Sequence, residues 1–210
     1  MLAGISKDID SAKSSVFFSL AFLGQMTKGP VGPAIGRAIH KSSVYALGIA
    51  DQRVGAENLG VAVLNPDGRR KIVRAEALTG KLPKPFRAEP TGLAGNGAHR
   101  GTRMHHKFIV LDFNTSAARV YLGSYNFSEA ADATNGENLV LIEDRCVATS
   151  YMIEALSLYD HYRFRSMRAD AKSKREKIEL RLPPATAAEK PWWDKDWTDK
   201  LRAQDRMLFA

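Results

Sequence analysis

Of the five histidines in this chain, His105 stands in a setting suited to chemistry rather than to packing. In the segment MHHKFIVLD it is followed by Lys107 and, at the end of the apolar run, by Asp112. Side chains two positions apart on an extended strand project from one face. His105 and Lys107 are therefore expected to point together, while His106 turns the other way, into packing. The same alternation puts Ser124 and Asn126 on one face of GSYNF. An imidazole, an ammonium and a carboxamide converging on one spot can bind a phosphate, with the imidazole as nucleophile or proton donor. His99 lies beside Arg100 and Arg103 and reads as an exposed loop residue. Asp and Glu elsewhere have no metal-ligand spacing and Cys146 is the only cysteine, so no metal, no cofactor and no intrachain disulfide are expected. Cys146 itself reads as a small buried apolar residue.

Positioning these groups requires strands. Residues 7–23 read as a short helical lead into an apolar strand at 15–23, SVFFSLAFL. A helix follows over 30–41, then a second apolar strand at 43–50, which makes a parallel crossover unit buried on both faces. The pieces VAVLN and KIVRAEAL, separated by Asp67-Gly68, predict a hairpin. Residues 80–103 are rich in Gly and Pro and read as a long loop, of a length usually reserved for function or disorder. Further strands are expected at 106–111, 119–125 and 137–143, with a short polar helix between the last two. Over 146–167 the apolar residues recur at helical spacing, a face for the sheet. The fold class is thus α/β, a mixed sheet flanked by helices. Residues 1–166 form the catalytic domain, and 167–210 form a basic, Trp-containing extension with helical and irregular parts. Trp192, Trp193 and Trp197 are read as anchors for that tail, with base stacking as the alternative.

The formal charge is +8 with a pI near 9.6, which favours a polyanionic partner. Nucleic acid is preferred over lipid, because the chain lacks a convincing amphipathic membrane segment. The longest apolar run, Val16 to Leu23, is far short of the ~20 residues a spanning helix needs. The polar Met1 to Ser15 stretch does not read as a secretory leader, which points to the cytoplasm.

HHKFIVLD followed by GSYNFS resembles the HKD motif of the phospholipase D superfamily, and Asn135-Gly136-Glu137-Asn138 is similar to that family's Asn-x-Glu-Asn block. The resemblance covers roughly residues 7–166 and implies a metal-independent phosphodiesterase. On it, His105 forms a phosphohistidine, and Lys107 and Asn126 hold the non-bridging oxygens. Ser124 adds a hydroxyl donor, Glu137 orients the imidazole, and Asp112 supports the site. The family mechanism needs two motif histidines, yet His40, His99 and His161 begin no second His-x-Lys. The missing half must then come from a second copy in a homodimer or from another motif-bearing half. Alternatively, the chain is a piece of a two-motif protein and inactive alone. The substrate implied is a phosphodiester, with a phospholipid or a purely binding role as alternatives to nucleic acid.

Overall fold

A computed structural model describes residues 1–21, 29–54, 58–64, 70–73, 105–176, 178 and 182–209. The chain divides into two compact units, Met1–Ala169 and Asp170–Ala210.

In the first unit, helix α1 (Leu2–Ser11) leads into strand β1 (Ser15–Leu20), and helix α2 (Val31–His40) leads into β2 (Tyr45–Val54). Strands β3 (Asn58–Leu64), β4 (Arg70–Val73), β5 (Lys107–Leu111) and β6 (Arg119–Gly123) follow. Helix α3 (Glu129–Ala133), strand β7 (Leu139–Ile142) and the long helix α4 (Arg145–Lys174), whose last five residues belong to the second unit, come last. One seven-stranded sheet has the order β4-β3-β2-β1-β5-β6-β7. Among the described strands only β1 and β2 pair in parallel, as expected for two strands joined through a helix. β3 and β4 pair antiparallel, as the predicted hairpin requires.

β1 is buried at every position because it lies mid-sheet with both faces covered. Val16, Phe18 and Leu20 join Ile109 and Leu111 in a core with the apolar faces of α1 and α2. Phe17 and Phe108 face the other way, and Phe108 packs edge-on against Tyr151 of α4 (5.2 Å between centroids). Ala148, Met152, Ala155, Tyr159 and Tyr162 form the buried stripe of α4, at the predicted spacing. A bidentate Asp10–Arg37 pair (2.8 and 2.9 Å) joins α1 to α2 at the surface.

Cys146 is exposed rather than buried, because it lies in the first turn of α4 outside that stripe. The predicted loop at 80–103 lies outside the described residues. Among those described, no helix is long and apolar enough to cross a membrane. The second unit holds helices α5 (Asp194–Thr198) and α6 (Lys200–Leu208). Its tryptophans interact locally: Trp192 meets Trp193 edge-on, and Arg206 lies 4.4 Å from the Trp197 ring centroid. Trp197 is 66% exposed.

Candidate active site

The predicted chemistry gathers at one end of the sheet, where β5 begins and β1 ends. Leu20 of β1 stands opposite Lys107, and the Ala21 amide donates to the His106 carbonyl (2.8 Å), carrying the pairing one residue past the strand. Lys107 is only 7% exposed, and its Nζ donates to the His105 carbonyl (3.0 Å). Burial pushes its ammonium below the usual lysine range, and the carboxylates of Glu137 and Asp51 oppose that shift. Asp51, just past Ala50 opposite Leu20, is a buried carboxylate absent from the sequence-based set. Its signal was a lone charge closing the apolar run YALGIA, a place where a buried acid needs a reason.

The second cluster forms where β6 ends and β7 begins. Gly123 closes β6 at φ +143°, a conformation that favours glycine. Beyond it, Tyr125 and Phe127 bury in the core while Ser124 and Asn126 turn away, preserving the expected alternation. The Tyr125 hydroxyl donates to Asp132 of α3 (3.0 Å), and the Ser128 hydroxyl caps α3 by accepting from the Ala131 amide. Asn126 is held at two points by Glu137: its backbone amide donates to Oε2 (2.8 Å) and its Nδ2 to Oε1 (2.7 Å). Nδ2 of Asn135 donates to the same Oε1 (3.1 Å). The Asn126 Oδ1 is buried and accepts no hydrogen bond from the described residues. Lys107, Asn126 and Glu137 thus share one region, with Glu137 close enough to act on the lysine charge.

Two expectations change. His106 is exposed rather than packed; β5 starts only at Lys107, so its ring lies against the sheet's end beside Phe108 (6.3 Å between centroids). Asp112 stands at the opposite end of β5, about 16 Å of strand from Lys107. Its carboxylate accepts from the backbone amides of Lys13, Ser14 and Ser15 and from the Ser14 hydroxyl. Asp112 therefore anchors the α1–β1 link and lies outside the site. Glu137 accepts from Asn126 and Asn135. His105 is exposed, and Ser124 Oγ accepts from the Asn138 amide (2.9 Å).

A family described as "Cardiolipin synthase, PLD-like domain" matches residues 5–158. A phospholipase D of Rickettsia felis is 46% identical over 48 residues, 23% of this chain and 22% of that protein. A mitochondrial cardiolipin hydrolase of Xenopus tropicalis is 33% identical over 86 residues, 41% of this chain and 38% of that protein. The chain thus aligns with well under half the length of either relative. Among solved structures, a phospholipase D family member, Nuc from Salmonella typhimurium, is similar over 76% of this chain and 86% of that one, with 20% identity and a TM-score of 0.43.

Proposed function

Because the chain belongs to the PLD-like domain family of the phospholipase D superfamily, we propose that it is a metal-independent phosphodiester hydrolase acting through His105. The observation that carries this is Lys107, a buried ammonium hydrogen-bonded to the His105 carbonyl and in the field of Glu137. A fixed cation beside a candidate nucleophile is what negative charge gathering on phosphoryl oxygens requires.

An imidazole nitrogen of His105 attacks phosphorus and forms the P–N bond as the P–O bond to the leaving group breaks. A second motif histidine, protonated, gives its proton to the departing alkoxide. Water then attacks the phosphohistidine, that histidine takes the water's proton, and the P–N bond breaks to restore His105. Lys107 and Asn126 hold the non-bridging oxygens, with Ser124 as a further donor. Glu137 acts by fixing the Asn126 carboxamide and by drawing Lys107 toward its charged form.

Nucleic acid is the proposed substrate, supported by the net charge of +8. A phospholipid is the second candidate, favoured by the lipid names of the family and of the two relatives. Turnover is assayed in EDTA on single-stranded DNA and on cardiolipin or phosphatidylcholine vesicles. Hydrolysis should persist in chelator on one of these substrates. Loss in EDTA that Mg²⁺ restores would overturn metal independence, and no turnover on any of them would overturn the hydrolase assignment.

Lys107 makes a separate prediction. If its charged form is required, kcat/KM should fall on the alkaline side, with a midpoint below the ordinary lysine value of 10.5 because burial lowers it. Lys107→Arg keeps its charge at all such pH values and should remove that limb from whatever activity it retains. A limb that is unchanged in Lys107→Arg would assign it to another group.

A further inference from the structure

We propose that Asn138 is a positioning residue that holds Asn126 in place for the reaction by splicing the β6–α3 turn onto the start of β7. This rests on the hydrolase proposal above for its kinetic consequence, though not for its structural one. The paired ladder of β6 and β7 ends with Gly123 opposite Leu139. Past that point the Asn138 side chain takes over the ladder's work: its Oδ1 accepts from the Ser124 amide (2.7 Å) where a strand would offer a carbonyl. Its own carbonyl accepts from the Tyr125 amide (3.0 Å), and its amide donates to Ser124 Oγ (2.9 Å). Directly before it, Glu137 holds Asn126 by two bonds. Residues 124, 125 and 126 are thus each fastened, in order, to the adjoining pair 137 and 138.

Gly123 is what allows this approach. A Cβ there would lie 2.4 Å from the Asn138 carbonyl oxygen and 2.7 Å from Oδ1, besides being strained at φ +143°. The glycine of GSYN and the last asparagine of NGEN therefore act as one device, spaced apart in sequence by α3. Its output is the orientation of Asn126, whose carboxamide is bonded to Glu137 through Nδ2 while its buried Oδ1 has no partner among the described residues.

Asn138→Ala removes the acceptor for the Ser124 amide and leaves the backbone bonds. The expected result with bis(4-nitrophenyl) phosphate is a fall in kcat on the order of 100-fold with KM little changed, the signature of a misplaced transition-state contact. Asn138→Asp keeps an acceptor oxygen there, now of a carboxylate, and should restore most of the loss. Gly123→Ala, which forces the turn and Asn138 apart from the other side, should reproduce the Asn138→Ala phenotype. Independently of turnover, the Asn126 side-chain amide protons should exchange with solvent faster in Asn138→Ala than in wild type, read by NMR. Unchanged exchange, or Asn138→Asp no better than Asn138→Ala, would overturn the positioning role. Wild type without turnover but with the exchange difference would overturn the hydrolase proposal alone.

Discussion

His105→Ala should lower turnover by on the order of 10⁴-fold or more while leaving the fold intact, since removal of a covalent nucleophile is among the costliest single changes an enzyme can suffer. The neighbouring substitution provides the contrast. His106 is exposed, with its ring beside Phe108, so His106→Ala should alter stability by no more than about 0.5 kcal/mol and leave turnover near wild type. The pair of variants is compared by single-turnover kinetics and by thermal unfolding. Both histidines are exposed, so burial does not separate them. What separates them is the spacing in the sequence, which sets His105 two positions before Lys107 and His106 next to it, and the Lys107 ammonium bonds the His105 carbonyl. If His106→Ala were the inactive variant and His105→Ala the active one, the backbone would turn between residues 105 and 107 so as to exchange the two side chains.

Much of the fold was legible because its strands are short apolar runs with clear boundaries. The five predicted strands all occur in one sheet, and the parallel β1–β2 pair follows from a single helix lying between them. Boundaries near the site were less legible. A strand was expected to run to residue 125, with Ser124 in it and Asn126 directly after it, but Gly123 ends β6 through a backbone conformation that periodicity does not reveal. The alternation survives there only because Tyr125 and Phe127 remain buried.

Long-range partnerships were the least legible part. Asp112 shares its motif with His105 and Lys107, yet its carboxylate serves amides almost a hundred positions earlier in the chain. Local spacing cannot distinguish a carboxylate that serves the reaction from one that terminates a strand. Asp51 and the Glu137–Asn126 pair were hidden for the same reason: each depends on which strand ends the sheet order brings together.

Mixing wild type with inactive His105→Ala protein, under conditions where subunits exchange, should reduce activity faster than wild-type chains are diluted. In-line displacement puts the attacking and departing groups on opposite sides of phosphorus, so one imidazole cannot form the P–N bond and protonate the leaving oxygen in the same step. This chain offers one His-x-Lys, and the second histidine is proposed to come from a second copy across a two-fold axis. A mixed dimer then carries a single motif histidine and is inactive. With equal amounts of the two proteins, activity should fall to about a quarter of that of the same total amount of wild type, rather than the about one half that independent sites would give. The two copies of His105 need not be chemically different beforehand. In the proposed site one attacks as the neutral imidazole while the other, beside the same phosphate, gives its proton to the leaving oxygen. Sedimentation run beside the mixing series fixes the assembly. A species that sediments as a monomer, with activity proportional to wild-type chains, would refute the shared site and require the leaving-group acid to lie within one chain.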